Sequence, residues 1–327
     1  MKKVLGLGNA LVDIMTRLES DEILTQFNLP KGGMQLVDAD FANAVLNAAA
    51  GLQKQQASGG SAANTIHGLA RLGVPAAFIG KVGNDDYGKF FHDDMLNSGI
   101  QPMLLTGSAQ SGLAVALVSI DSERTFATFL GAAIEMTPAD LTPEMFADAS
   151  IFHIEGYLVQ NHDLVREAMK MAKAAGLTIS LDLASFNVVE QNFDFLHEMT
   201  EKYVDIIFAN EEEAKAFTGS EPEDALLKIS DKCRIAVVKI GKQGSLIKNQ
   251  GIVTRIGVIP ANPVDTTGAG DMYASGFLYG LSLGLSMNQC GKIGAILAGN
   301  VIDVIGAKMT NETWQKMRIE INEIARQ

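Results

Sequence analysis

Apolar and polar positions along the chain fall into two kinds of segment that take turns. Short β-branched or apolar runs, "KVLGLG", "PAAFIGKVG", "ASIFHIEG", "LTISLDL", "DIIFAN" and "RIAVVKIG", predict strands. Segments with apolar residues at helical spacing lie among them: "SAANTIHGLARLG", "DYGKFFHDDMLNSG", "HDLVREAMKMAKAAG" and "EEEAKAFTG". Two of these stop at Gly99 and Gly176, where a glycine can end a helix. "MYASGFLYGLSLGLS" reads as a buried helix. Strands joined by crossover helices build a doubly wound α/β sheet of mostly parallel strands flanked by helices.

Two stretches break the alternation. Residues 14–38 and 111–131 read as hairpin-like, the second with a polar turn Asp121-Ser122-Glu123-Arg124 between two apolar strands. They predict a small β-strand lid over one end of the sheet. With no repeat, low-complexity tract or flexible linker, residues 1–327 are expected to form one unit.

Composition narrows this picture. A chain of 327 residues, 47% hydrophobic and 20% charged, buries a large core. Its formal net charge is −12, and no helix gathers lysines and arginines, so nucleic acid is not an expected partner. Cys233 and Cys290 are its two cysteines and lack metal-type spacing, which suits a reducing compartment. The start, Met-Lys-Lys then "VLGLGNALVDI", is interrupted by Gly6, Gly8, Asn9 and Asp13, a poor signal peptide and too polar for a membrane span. The expectation is a soluble cytoplasmic protein.

Candidate chemistry gathers in four places. Gly6-x-Gly8 after a strand suggests a dinucleotide fingerprint, but Leu11 stands where the third glycine is needed and "ALVDIMTRL" continues as a strand, which argues against an oxidoreductase. Asn9 and Asp13 instead fall near a strand's carboxyl end, where open α/β sheets bind ligands, unless Asp13 only caps a turn. Gly59 and Gly60 precede a helix whose small first turn, Ser61 to Ala63, lets a ligand approach bare amides. An ordinary N-cap explains Ser61 equally well, but not Asn64 inside an apolar helix. Asn210 and Glu213 in "NEEE" suit either a cleft facing a hydrated magnesium or a plain acidic helix start.

The fourth place is "NPVDTTGAGD", residues 262–271. Gly268, Ala269 and Gly270 open a helix mouth that can hold an anion, yet Asp271 would repel it. The combination makes sense where a hydroxyl is deprotonated beside the phosphate it attacks, with Asp271 as general base and the amides taking the transferring charge. The bland reading is an aspartate favoured by the helix dipole.

Together these segments resemble the ribokinase-like, or PfkB, family of carbohydrate and nucleoside kinases. "GGSAANTIHGLARLGVPAAFIGKVGNDDYG" is similar to its first signature and "DTTGAGDMYASGFLYG" to its second; "NEEE" and "VVKIGKQGSLI" fit its Asn-x-x-Glu motif and nucleotide-flanking turn. The resemblance implies ATP, magnesium and transfer of the γ-phosphoryl group to a primary hydroxyl. It implies Asp271 as base with Gly268, Ala269 and Gly270 as anion hole. Substrate would be bound by Asn9, Asp13, Gly59, Gly60, Asn64 and Glu155. ATP would meet Asn210, Lys239, Gly241, Gly244 and, near the adenine, Asn300, with Glu213 serving magnesium through water. Lys239 stands where many members have threonine, and Ser61 where ribokinases carry lysine. A monovalent cation near Asp265 and a monomer or lid-mediated homodimer are further expectations.

Within the family, "GLGNALVDI", "GGSAANT" and the three-residue gap between Asn9 and Asp13 are most similar to the adenosine kinase branch. Phe126 and Phe129 would then flank a purine, or else form alternating strand core. A sugar kinase of the same family (ribose, fructose or a keto-deoxy sugar acid) and a non-catalytic nucleotide or sugar sensor are the alternatives. The sensor would have little reason to keep Asp271, Glu213 and the glycine mouth together.

Overall fold

A computed structural model describes residues 1–121 and 123–326. Ser122, within the expected polar turn, lies outside the described residues. Fourteen strands appear among them: β1 (Lys3–Leu7), β2 (Leu11–Arg17), β3 (Met34–Leu36), β4 (Lys54–Gly59), β5 (Ala76–Val82), β6 (Ile100–Thr106), β7 (Gly112–Val118), β8 (Arg124–Phe129), β9 (Ala149–Glu155), β10 (Thr178–Asp182), β11 (Ile206–Asn210), β12 (Ile235–Lys239), β13 (Ser245–Asn249) and β14 (Ile252–Ile256). A nine-stranded sheet runs β14-β13-β12-β11-β10-β9-β1-β5-β6. From β12 to β6 every neighbouring pair is parallel, and β12-β13-β14 close the far edge as an antiparallel meander.

Parallel strands covered on both faces read as continuous apolar runs, and these do: Leu5, Phe152, Ile179, Ile207 and Val238 are fully buried. One core lies between the sheet and the helices Ser61–Arg71, Ala269–Ser282 and Met287–Val301. The other lies beneath helices such as His162–Ala174, Phe193–Lys202 and Glu211–Thr218. Phe208 on β11 meets Phe277 of Ala269–Ser282 edge to face, with ring centroids 5.4 Å apart, which seats that helix on the sheet. Glycines let its other neighbours come close: a side-chain carbon at Gly276 would lie 2.6 Å from the Ile293 carbonyl oxygen. The many small residues of this segment therefore serve backbone contact between two buried helices.

The second sheet runs β3-β8-β7-β2-β4. It departs from the expected lid in two respects. Residues 14–38 do not form a hairpin, because the helix Glu22–Gln26 buries Leu24 between β2 and β3, and β3 pairs with β8 instead. β2 starts at Leu11 and pairs with β4, so the sheet draws in more chain than 14–38 and 111–131. Residues 111–131 do contain an antiparallel hairpin, β7 with β8. Register places Asp13 beside Ala114 and Ala114 beside Thr128, so Asp13, Thr128, Phe126 and Arg124 share one face while Phe129 takes the other. Phe126 and Phe129 therefore do not form two walls of one slot. No described helix is long and apolar enough to cross a membrane.

We expect Phe277→Ala to lower the unfolding free energy by roughly 3–5 kcal/mol through the cavity left against Phe208. Urea unfolding followed by fluorescence checks this; a loss below ~1 kcal/mol would mean the helix is not seated by that contact.

Candidate active site

Four neighbouring strands end along one edge of the sheet, β11 and β12 running two residues beyond β9 and β10. β9 ends at Glu155, β10 at Asp182, β11 at Asn210 and β12 at Lys239, with Asp182 opposite Glu155 and Asn210 opposite Lys239. Open α/β sheets present their ligand crevice at this carboxyl edge. The helices Ser61–Arg71 and Ala269–Ser282 both begin above it.

Glu155 is buried at 1% exposure, and its carboxylate accepts from Asn9 N (3.0 Å), Asn9 Nδ2 (2.7 Å) and Ala62 N (2.9 Å). It thus joins the turn after β1 to the first turn of Ser61–Arg71. Burial pushes its carboxyl above the ordinary range, against the pull of those three bonds. Gly8 is small because any side chain there would meet this carboxylate. Gly60 has φ 99°, and a Cβ there would clash with the Asn9 carbonyl oxygen.

Asp271 occupies the first turn of Ala269–Ser282. Its Oδ1 accepts from Ser61 Oγ at 2.7 Å and its Oδ2 from Asn64 Nδ2 at 3.0 Å. Asn64 is therefore inside an apolar helix in order to hold this carboxylate, and Ser61 does the same rather than capping its own helix, which has no side-chain cap. Burial raises the Asp271 carboxyl to about 7; the Ser61 and Asn64 bonds and Lys239 oppose the rise, and Asp182 adds to it. Gly268, at φ 75°, leaves the helix mouth with no side-chain cap, and Ala307 packs where its Cβ would be. A carboxylate with a near-neutral pKa thus stands at a helix start where Ala269 N is taken by the Thr266 carbonyl at 3.2 Å, an arrangement suited to deprotonating a hydroxyl beside an anion held by the remaining amides.

Asp13 lies across the cleft on β2, its carboxylate resting on Gly59, which explains the missing side chain there. Burial pushes its carboxyl up to about 7, with Lys308 and Arg124 pulling it down and Asp271 pushing it up. The Asp271 charge thus reaches Asp13.

The nucleotide-side residues fare differently. Asn210 and Glu213 form a reciprocal capping box: Asn210 N and Nδ2 donate to Glu213 at 2.8 and 2.7 Å, and Glu213 N donates to Asn210 Oδ1 at 2.8 Å. Glu213 is 3% exposed, so the acidic helix start is what the geometry displays, and burial followed by the nearby Asp182 raises its carboxyl. No group of three or more histidine, cysteine, aspartate or glutamate side chains is arranged to hold a metal ion among the described residues. Asn300 donates to the Ile296 carbonyl of its own helix at 2.9 Å. Gly241 and Gly244, at φ 50° and 93°, shape the turn between β12 and β13. Lys239 Nζ donates to Asp182 Oδ2 at 3.1 Å and stands beside Gly270.

Sequence reasoning passed over Asp182 and Arg124. Asp182 closes the apolar run "TISLDL", and an acid ending a buried strand at the ligand edge was a usable signal. Arg124 crosses from the lid to pair with Asp265, both side chains buried. Asp265 also accepts from Thr267 N at 2.9 Å and Gly306 N at 2.6 Å. The carboxylate that had suggested a monovalent cation thus already carries a guanidinium.

The carboxyl edge of a doubly wound sheet thus carries a buried carboxylate at a glycine-opened helix mouth. The chain matches the model of the pfkB family carbohydrate kinases over residues 37–314 and belongs to that family. It is similar to an adenosine kinase of Sinorhizobium meliloti, at 34% identity over 98% of this chain and 99% of the other with a TM-score of 0.88. A probable sugar kinase of Rhizobium etli matches at 33% identity over 98% of both chains, also with a TM-score of 0.88. A probable fructokinase-7 of Arabidopsis thaliana is 30% identical over 81% of this chain and 78% of its own length.

The raised carboxyl of Asp271 has a consequence for stability. A folded-state pKa of about 7 against an ordinary 3.8 favours the fold below 3.8, and that contribution is lost as pH rises through about 7. Between these values the wild-type chain should lose stability relative to Asp271→Asn. Urea midpoints of the two chains at several pH values measure the difference; parallel curves would contradict it.

Proposed function

We propose that this kinase transfers the γ-phosphoryl group of ATP to a primary hydroxyl, the ribose 5′-hydroxyl of adenosine or a related nucleoside. The observation that carries the transfer is Asp271, aimed by Ser61 and Asn64 into the mouth opened by Gly268 and Gly270. Asp13 and the Asn9 turn would receive the sugar hydroxyls on the opposite wall. With the lid sheet above, water is excluded from the reacting oxygen. Asp271 takes the hydroxyl proton, the substrate oxygen attacks the γ-phosphorus in line, and the helix mouth holds the charge of the group in transit.

The donor set fits a nucleotide phosphate: the helix-start amides other than that of Ala269, which donates to the Thr266 carbonyl, and the Lys239 ammonium beside them. It fits magnesium less directly, since both Glu213 oxygens already accept from Asn210. When bound, magnesium would neutralise phosphate charge, held chiefly by the nucleotide and water, with Glu213 reached through water.

Two observations support a nucleoside. The likeness to the S. meliloti adenosine kinase spans almost the whole chain. Phe126 lies on the same lid face as Asp13 and offers one aromatic wall for a base. A sugar acceptor is the second reading, supported by the likeness to the probable fructokinase.

Turnover of ATP against adenosine, inosine, guanosine, ribose, fructose and 2-keto-3-deoxygluconate separates the two; signal from a free sugar with none from adenosine would end the nucleoside reading. With the accepted substrate, Asp271→Asn should cut kcat by at least ~100-fold while ATP still binds. The wild-type kcat should rise with pH through about 7, where Asp271 ionises. Near-normal turnover in the variant would remove Asp271 as base.

A further inference from the structure

One cation beside the cleft has a place in neither the transfer nor the packing of the core. Lys308 follows Ala307, which packs where a Cβ of Gly268 would lie, and Gly306, whose amide donates to Asp265 at 2.6 Å. Its backbone is therefore fixed to the wall that carries Asp271. Its side chain reaches the lid wall, where Nζ donates to Ser58 Oγ at 3.2 Å near the end of β4. Gly59, the next residue, is the glycine on which the Asp13 carboxylate rests.

Anchoring of the lid does not account for this placement. Asp94 of the helix Asp86–Asn97 already accepts from Ser58 N and Ser58 Oγ, at 3.0 and 2.5 Å, so β4 is held there without a lysine. One bond to a neutral hydroxyl does little to offset burial of an ammonium, and burial pushes Lys308 down to about 8. On Ser61–Arg71, the Arg71 guanidinium opposes its charge, and His67, whose imidazole burial holds well below its ordinary value, adds none. Two carboxylates answer it, Asp94 and Asp13. Asp94 is already engaged with Ser58. For Asp13, Lys308 is the foremost charge opposing the rise caused by burial, ahead of Arg124, which is itself paired with Asp265; the Asp271 carboxylate acts the other way.

We propose that Lys308 is the positioning residue of Asp13, its ammonium sustaining the charged carboxylate that grips the hydroxyls of the acceptor. The inference rests on the reading of Asp13 as receiver of those hydroxyls and names the group that keeps it fit for the task. A charged carboxylate accepts from two neighbouring hydroxyls at once and more strongly than a protonated one. Acceptor affinity of the wild-type chain therefore climbs as pH rises through about 7, where Asp13 ionises. Without the ammonium the same climb is displaced to higher pH.

Two measurements on the full chain test this. In protein labelled with carboxyl-13C aspartate, with Asp13→Asn assigning the resonance, Lys308→Met should move the Asp13 titration up by at least ~1 pH unit, the effect of a nearby opposite charge. Calorimetric binding of adenosine without nucleotide should weaken in Lys308→Met by at least ~3-fold at about pH 7. It should converge on wild type by about pH 9, where Asp13 is charged in both chains and Lys308 has itself largely lost its proton. Loosened packing would instead weaken binding at every pH. In the Asp13→Asn background, Lys308→Met should change adenosine affinity less than ~2-fold. Lys308→Gln serves in the same comparisons where Lys308→Met does not fold. An unmoved Asp13 titration, a loss independent of pH, or an equal loss in the Asp13→Asn background overturns the inference and leaves the kinase reading standing. A wild type that binds fructose and not adenosine ends the nucleoside reading, and fructose then decides the role of Lys308 by the same comparison. A wild type that binds neither overturns the acceptor reading and the inference with it.

Discussion

The architecture of the cleft depends on a carboxylate bonded to the protein's own amides. Glu155 ends a central strand, lies under the crevice, and takes three amide hydrogens from the turn after β1 and the start of Ser61–Arg71. A buried carboxylate so fully bonded fixes its donors in angle as well as distance. Those donors set the line of Ser61–Arg71, and that helix in turn supplies Ser61 and Asn64 to the base. The position of Asp271 is therefore decided two steps away, at the end of β9.

The glycines around this bracket are of two sorts. Gly60 and Gly268 take backbone angles that other residues resist, and each stands at the opening of a helix. Gly8 and Gly59 instead make room for carboxylates, those of Glu155 and Asp13. Acidic groups thus reach backbone that side chains would have covered, and burial raises the carboxyls of both Asp13 and Asp271 to about 7. Charge at this site is governed by desolvation first and by neighbours second.

How much of this was legible in the chain follows from the kind of signal. The sheet was, because parallel strands buried on both faces leave unbroken apolar runs such as "LTISLDL" and "RIAVVKIG". The place of Asp271 at a helix start was, because its small neighbours run straight into the apolar segment "MYASGFLYGLSLGLS". The role of Glu155 was not: a glutamate ending a strand looks the same whether it faces substrate or amides, and only the approach of Asn9 and Ala62 decides. Residues 14–38 misled because β2 and β3 each find partners far along the chain, a non-local choice that alternation in one stretch does not encode. Asp182 and Lys239 stand 57 residues apart, and no spacing rule brings them together.

The buried pair of Arg124 and Asp265 joins the lid sheet to the loop before Ala269–Ser282. It makes the lid and the loop before the active helix parts of one inheritance. A lid transplanted from a relative to change substrate preference, without a cation at this position, would leave Asp265 buried with only the Thr267 and Gly306 amides to answer its charge. Exchange of the lid in this chain is thus limited by charge matching across the seam as well as by the shape of the cleft.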